Sequence, residues 1–396
     1  MTEKISKIPY FIPEKKSLNA FMSEGLISYI GQDVWEKYYE TVLAEAVDPG
    51  MIRSAGLDIV YTPLCGTGNE PVREILGRLG VNITVVSCQE KPDGDFKTCE
   101  YPNPETDAAL NESYKVAETA PCDVILGTDP DADRVAIAVP CSTGYQKLSG
   151  NELGCLLLDY ILKARSQRND VPEGAVAVRS IVSSPLADQI AQHYGVTIKA
   201  VLTGFKYIGG EILRLEQNNE QNKFLFGFEE SCGYLKGTYA RDKDAVVASM
   251  LVCEMAASLK KQGKTILDAL NELYATYGYY LAYVQSIELT GADAMDKAAA
   301  MMADLRDNVP VEIGGAKVTG VRDYRSGIDK DLITGAETEI LLPRSNVLEF
   351  LLGNKGSVIA RPSGTEPKVK FYYTAVAEDH ASAKKLLDAM VVQMSK

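Results

Sequence analysis

The stretch "DVILGTDPDADRVAIAV", Asp123 to Val139, sets two apolar runs on either side of three aspartates at alternate positions, with an arginine directly behind them. The run "DVILGT" is short and apolar, the pattern of a strand buried on both faces of an α/β sheet, and "RVAIAV" follows as another strand. At strand periodicity Asp129, Asp131 and Asp133 point the same way; in a loop leaving a strand their oxygens converge on one point. Three converging anions repel, so convergence calls for a cation. Mg²⁺ suits it, because a hard ion takes oxygen ligands and keeps coordination positions for water or phosphate. A solvated turn is the other reading, since aspartates are common in turns. Gly127, Pro130 and the buried-strand character of "DVILG" keep the metal reading beside it.

Toward the N-terminus the pattern alternates: "LDIVYTPL" as strand, "NEPVREILGRLG" as helix, "VNITVVSC" as strand, then "NPETDAALNESYKVAETA" as helix. Such alternation predicts a mostly parallel sheet with helical crossovers. Toward the C-terminus the order recurs. "GAVAVRSIV", "VTIKAVLTG" and "KFLFGFEES" read as strands, "PLADQIAQHYG" and "KYIGGEILRLEQ" as helices, and the long apolar-faced helix "KDAVVASMLVCEMAASLKKQ" follows, with Asp242 or Asp244 near its start. This is an internal repeat of the α/β unit. Open α/β sheets present ligands beyond the ends of their strands. The first repeat places its aspartates there, and the second places "GFEESCGYL" at the comparable point.

Residues 28–50 read as a lone helix around "QDVWEKYYETVLAEAV", ended by Pro49 and Gly50. After "NELYATYGYYLAYVQ" the rhythm changes to the amphipathic helix "GADAMDKAAAMMADLRDN", separated strands and a last helix "HASAKKLLDAMVVQMSK", which predicts a smaller α+β domain. The expected fold class is therefore α/β: two repeated α/β domains, then a smaller α+β C-terminal domain. The expected limits are 1–50 for the remnant of a first domain and a connecting helix, then 51–148, 149–281 and 282–396.

A chain of 396 residues exceeds one hydrophobic core, in line with several domains. Its formal charge of −13 argues against a nucleic-acid partner, because phosphate backbones need a surplus of Lys and Arg. Positive charge for a small phosphorylated ligand must then be supplied locally. The eight cysteines show no CxxC pair and suit a reduced, cytoplasmic protein. No signal peptide or membrane-length apolar run is present, so no membrane partner is expected. Of the two histidines, His193 sits near a helix end, where interaction with the dipole explains it, and His380 lies in a polar stretch.

Three further loops carry candidate chemistry. In "IARPSGTEPKVKFYY", Arg361 can pair with phosphate, Ser363 and Thr365 add hydroxyls, and Gly364 permits a tight turn that exposes backbone donors; ordinary turn chemistry explains the same residues. In "GFEESCGYLKGTYARDKD", Glu229 and Ser231 at alternate positions can face one sugar, with Glu230 facing away, and Lys243 can bring charge toward phosphate or merely solvate a helix start. "TPLCGTGNEPVREIL" offers Gly66, Thr67 and Gly68 for close packing near the acidic loop, but neither a Rossmann fingerprint nor a P-loop lysine. Lys206 in "TGFKYIGG" either reaches a ligand or ends a strand in solvent.

Taken together, "TPLCGTG", "DPDADR", "TGFKYIG", "GFEES", "RDKDA" and "RPSGTEP" occur in the order found in the alpha-D-phosphohexomutase superfamily, and nearly the whole chain resembles its phosphoglucomutases and phosphomannomutases. The resemblance implies Mg²⁺ on Asp129, Asp131 and Asp133, sugar-hydroxyl recognition by Glu229 and Ser231, and substrate-phosphate binding by Arg361, Ser363, Gly364 and Thr365. It implies that Arg134 lies near the transferring phosphate and that Lys243, with Lys206, contacts substrate. Members of this family carry a phosphorylated serine in a first domain, within a Thr-Ala-Ser-His-Asn-Pro-like loop. These 396 residues contain no such loop, and Cys65 stands where many relatives have histidine. The expectation is a phosphoglucomutase-like protein. It would interconvert glucose 1-phosphate and glucose 6-phosphate through a phosphoserine and glucose 1,6-bisphosphate, with the serine domain as a missing partner. Phosphomannomutase activity and a non-catalytic phosphosugar-binding module are the alternatives.

Overall fold

The computed structural model describes residues 2–11, 16–291, 293–364 and 366–395. Residues 1–41 form one compact unit and 42–396 another. The first holds helices α1 (Thr2–Ile5) and α2 (Leu18–Ser23), the latter capped by Ser17, whose side chain accepts from Ala20 N. Helix α3 (Gln32–Ala44) starts in the same unit. It stops before Pro49, and the Pro-Gly pair expected to end a helix instead opens a separate one, α4 (Pro49–Ala55). Proline suits the first helical turn, where its fixed φ is helical and its missing N–H would have no partner. Gly56, in the left-handed conformation, closes that helix.

The two repeats build two sheets of matching design. In the first, β1 (Asp58–Thr62) lies between β2 (Asn82–Val85) and β3 (Val124–Thr128), parallel to both. The sheet continues antiparallel through β4 (Val135–Cys141) and β5 (Gly144–Lys147). In the second, β6 (Val176–Ser180) lies between β7 (Thr197–Val201) and β8 (Phe224–Glu229), again parallel, and β9 (Gly233–Leu235) turns back antiparallel. The second sheet is thus mostly parallel, with one antiparallel edge strand, whereas the first is mixed, with as many antiparallel pairings as parallel ones. Residues 129–134 and 230–232 are too short for a crossover, so at both points the chain must return as a hairpin.

Helices α5 (Asn69–Arg78) and α6 (Asp107–Thr119) serve the first sheet; α7 (Gly150–Gln167), α8 (Leu186–His193) and α9 (Phe205–Gln217) serve the second. Helix α10 (Ala245–Lys261) packs on α4, α5 and β3 of the first repeat and on α7 and β9 of the second. Residues 245–257 are buried all round, as expected of a helix without a polar stripe. Its one buried charge, Glu254, accepts from Val47 N at 2.9 Å and Asp48 N at 2.7 Å. Helix α11 (Ile266–Tyr277) then leads to the C-terminal domain.

That domain is a seven-stranded antiparallel sheet. In spatial order its strands are β10 (Tyr279–Glu288), β18 (Lys368–Ala377), β17 (Gly356–Pro362), β16 (Leu348–Leu351), β13 (Gly320–Asp323), β14 (Ile328–Asp331) and β15 (Glu337–Glu339). A small ribbon, β11 (Glu312–Ile313) with β12 (Ala316–Lys317), stands apart. Helices α12 (Ala294–Asp307) and α13 (His380–Met394) cover one face through Met302, Val358, Ala360, Phe371, Tyr373 and Met390. The strand period of two turns Ile359 and Tyr372 to the other face, where they join Ile181, Val182 and Leu202 of the second repeat.

Candidate functional site

The acidic turn is shaped by its own backbone and braced from outside. Ala132, at φ 57°, takes the left-handed conformation that reverses the chain. Asp129 Oδ1 accepts from Asp133 N at 3.1 Å and Arg134 N at 2.9 Å, so one carboxylate oxygen organises the loop. From "CGTG", Thr67 N and Oγ1 both donate to Pro130 O, at 2.8 and 3.1 Å. Gly66 lies so close that a Cβ there would stand 2.4 Å from Pro130 Cα. Cys65 N donates to Gln89 O, and burial pushes the Cys65 thiol up, with Asp93 adding to the shift.

The ligand oxygens of Asp129, Asp131 and Asp133 all lie within 4.8 Å of one another. Burial, opposed by the Arg134 backbone and joined by the other two carboxylates, pushes Asp129 up to about 7. Asp133 Oδ1 is buried and accepts no hydrogen bond, with Arg134 Nε 3.6 Å away. A crowded set of hard oxygens, one without a donor and another disfavoured as an anion, fits a divalent cation such as Mg²⁺.

Cations and the second repeat surround this turn. Lys243 Nζ reaches Asp133 Oδ2 at 2.8 Å and Asp242 Oδ1 at 3.2 Å. Burial pulls the Lys243 ammonium down, but these two carboxylates outweigh it and the net shift is upward. Its stem crosses Gly233, where a Cβ would meet Lys243 Cδ at 2.1 Å. Arg134 Nη1 pairs with Glu105 Oε1 at 2.8 Å. Val135 N donates to Cys232 O at 3.0 Å, which ties the two hairpins backbone to backbone, and Ala245 N, at the start of α10, donates to Ala132 O at 3.0 Å. A cavity of about 240 Å³, lined by Tyr101, Pro102, Asn103, Asp129, Pro130 and Arg134, opens beside them. A larger one, about 530 Å³ around His193 and Tyr194, has none of those lining residues.

Glu229 is buried at the end of β8 and accepts from Gly204 N at 2.7 Å; burial raises its pKa against the pull of that N–H and of Lys243. Strand geometry ends at Glu229. Ser231 lies in the turn, with Cys232 at φ 64°, and does not continue the alternation expected of it. Glu230 does face away: its Oε2 accepts from Ser180 Oγ at 3.0 Å and Ser183 Oγ at 3.5 Å. Burial and Glu229 push it up to about 7.

Lys206 is exposed in the first turn of α9, not at a strand end, and its Nζ stands 5.0 Å over its neighbour's ring, Tyr207. Arg361 lies in β17 on the Ile359 face, and its positive charge acts against burial on the Tyr372 hydroxyl. Ser363 follows it, with Ser363 N donating to Lys368 O at 2.8 Å and Ser363 Oγ accepting from Glu366 N at 3.2 Å. Gly364 is exposed, and Thr365 lies outside the described residues. The structure thus joins Asp129, Asp131, Asp133, Arg134 and Lys243 around one turn, places Glu229 and Ser231 beside it, and sets Arg361, Ser363 and Gly364 on a separate loop. Glu105, Ser180, Ser183 and Tyr372 escaped sequence reading. Glu105, Ser180 and Ser183 come from stretches distant from the motifs they support, whereas Tyr372 lies within the quoted stretch "IARPSGTEPKVKFYY" and carried a positional signal.

Comparison with known proteins follows the same division. Family models for phosphoglucomutase/phosphomannomutase match as alpha/beta/alpha domain II over residues 36–144, alpha/beta/alpha domain III over 149–277 and the C-terminal domain over 293–392. A phosphoglucomutase of Staphylococcus epidermidis is 37% identical over 371 residues, covering 93% of this chain and 66% of the relative. One from Staphylococcus aureus is 36% identical over 344 residues, covering 86% and 61%. The chain therefore spans about two thirds of the length of these curated relatives. Among solved structures, the open form of the Paramecium phosphoglucomutase parafusin aligns with a TM-score of 0.62 at 16% identity, covering 92% of this chain and 60% of that one. A phosphoglucomutase/phosphomannomutase family protein of Burkholderia thailandensis gives 0.57 at 16%, covering 89% and 64%. At such identities these structures speak for the fold alone. The arrangement of two α/β/α repeats and a C-terminal domain, matched over nearly its whole length, makes this chain a member of the phosphoglucomutase/phosphomannomutase family.

Proposed function

We propose that this chain supplies the metal, sugar and phosphate contacts for the interconversion of glucose 1-phosphate and glucose 6-phosphate through a phosphoserine and glucose 1,6-bisphosphate, without completing that turnover by itself. Within it we place the domain limits at 51–148, 149–281 and 282–396, after a connecting segment over 1–50. One observation carries the reading: three convergent carboxylates, Lys243 and the sugar turn meet at two hairpin turns bonded backbone to backbone. Asp129, Asp131 and Asp133 would hold Mg²⁺, which when bound stabilises charge on phosphoryl oxygens. Arg134 and Lys243 present positive charge to the transferring phosphate. Glu229 accepts sugar hydroxyls and Ser231 hydrogen-bonds beside it, with Lys206 as an outer contact. Arg361, Ser363, Gly364 and Thr365 take the phosphate that does not react. Because separate loops supply these groups, a bound phosphosugar bridges two domains and shields the transfer region from water.

The covalent relay is the part these residues do not identify. A phosphosugar-binding role without turnover is therefore the second reading, favoured by the presence of metal, sugar and phosphate candidates within the three matched domains. Eight free cysteines are consistent with a cytoplasmic setting, and among the described residues no helix is long and apolar enough to cross a membrane. Calorimetric titration with glucose 6-phosphate and mannose 6-phosphate in magnesium buffer tests the assignment. Tighter binding of the glucose compound is expected; preference for mannose 6-phosphate would move the assignment to phosphomannomutase, and saturation by neither would refute it.

A further inference from the structure

Arg179, in β6, is buried at 8% exposure, and its guanidinium makes four hydrogen bonds. Nε and Nη2 grip the two oxygens of Asp188 at 2.7 Å each, while Nη1 donates to Ser180 O at 3.0 Å and Ser183 O at 3.2 Å. Only the arginine of this ion pair is buried, the Asp188 carboxylate being partly exposed, and such a pair is weak as a stability device. What this pair does supply is geometry: a rigid planar fork that fixes two carbonyls of one turn.

That turn has two working faces. On one, the hydroxyls of Ser180 and Ser183, 2.8 Å apart, hold Glu230 Oε2, next to Glu229 and Ser231 in the sugar turn. On the other, Ile181 and Val182 pack against Ile359 and Tyr372 of the C-terminal sheet. Ile359 shares its face of β17 with Arg361, whose positive charge acts on the Tyr372 hydroxyl. The contact path from the sugar turn to the phosphate loop therefore runs through residues 180–183.

We infer that Arg179 is a positioning residue: by clamping the Ser180–Ser183 turn against Asp188 it sets the spacing between the sugar-hydroxyl site and the phosphate site. This rests on the sugar and phosphate roles proposed above. A ligand held at both points gains affinity from the correct spacing, because the second contact forms at high effective concentration; a ligand held at one point gains nothing. Lysine at 179 keeps the charge but cannot hold a carboxylate and two carbonyls in one plane.

The test is calorimetric titration of the whole chain and its Arg179→Lys variant, in magnesium buffer, with glucose 6-phosphate and separately with inorganic phosphate. Glucose 6-phosphate should bind about tenfold or more weaker to the variant, and inorganic phosphate within about twofold of wild type. Equal weakening of both ligands, or none, would overturn the inference. Ser180→Ala removes the hydroxyl that reaches Glu230 and leaves the Arg179–Asp188 pair in place. It should show the same selective loss in a chain that still unfolds cooperatively, at a urea midpoint lowered by the lost buried hydrogen bonds, and wild-type affinity for glucose 6-phosphate in that variant overturns the inference even if Arg179→Lys does not fold. If the wild-type chain binds neither ligand, the phosphosugar reading fails and takes this inference with it; if it binds both and the variants do not discriminate, this inference alone fails.

Discussion

Replacing Gly66 by alanine is a direct probe of how the acidic turn is held. The position has no left-handed φ, so alanine is conformationally acceptable there and the whole effect is steric. A Cβ would lie 2.4 Å from Pro130 Cα and 2.6 Å from Pro130 O, both backbone atoms, whereas ordinary contact begins at 3.4 Å. The two segments must therefore separate by about 1 Å. Pro130 lies between Asp129 and Asp131, and its carbonyl accepts from Thr67 N and Oγ1, so the displacement moves two of the three carboxylates and strains two hydrogen bonds. Overpacking of this kind costs about 1–3 kcal/mol. Loss of support around metal ligands weakens metal affinity by about 10- to 100-fold. Urea unfolding and magnesium titration of the purified variant read both quantities. Gly77→Ala, at the far end of α5, is the control: nothing lies within 4 Å of its Cβ, and alanine in a helix should stabilise by about 0.5–1 kcal/mol. If Gly66→Ala matched wild type in both stability and magnesium affinity, the packing account of "CGTG" would be refuted.

Other outcomes follow from single contacts. Arg361→Ala should weaken glucose 6-phosphate binding by at least about tenfold while the chain stays folded, and equal calorimetric affinity would contradict the phosphate role. Asp244 caps α10, accepting from Val246 N at 2.7 Å, so Asp244→Ala should cost about 1–2 kcal/mol in urea unfolding, against under about 0.5 for exposed Asp242→Ala. Burial pushes Glu254 up to about 7 from an ordinary value of 4.5, so the folded chain holds more protons than the unfolded one between those values. Stability from this group is then greatest below about 4.5 and falls as pH rises to about 7. Glu254→Gln removes that dependence and should reduce the loss of stability between pH 5 and pH 8 by up to about 3 kcal/mol; an unchanged pH slope would count against it.

The repeat was legible because both halves obey the same periodicities. Short apolar strands such as Val124–Thr128 and Val176–Ser180 are bounded by turn residues, and helices such as Leu186–His193 follow with an apolar face. The turn back at Asp129–Arg134 was not, since an apolar strand reads alike in parallel and antiparallel pairing and only the length of the connection decides. Pro49 was misread because proline stops a helix from inside and starts one from its first turn, and which applies depends on what the chain packs against. Among site residues, the acidic triplet was visible as local spacing. Glu105 beside Arg134 and Ser180 beside Glu230 depend on tertiary contacts between stretches 29 and 50 residues apart, which no local pattern encodes. Ser231 departs from the expected alternation because its strand ends two residues earlier, in a turn that needs Cys232 at positive φ.

Conversion of glucose 1-phosphate by a purified polypeptide of these 396 residues, supplied with magnesium and glucose 1,6-bisphosphate, tests the division of labour most directly. Metal, sugar and phosphate contacts position a substrate, but positioning does not replace a covalent phosphoryl relay. The account predicts saturable phosphosugar binding, one ligand per chain, without appreciable formation of glucose 6-phosphate. Robust turnover proportional to the amount of this polypeptide, after contaminating mutase has been excluded, would contradict it and require a nucleophile among the residues of the three matched domains or the segment before them.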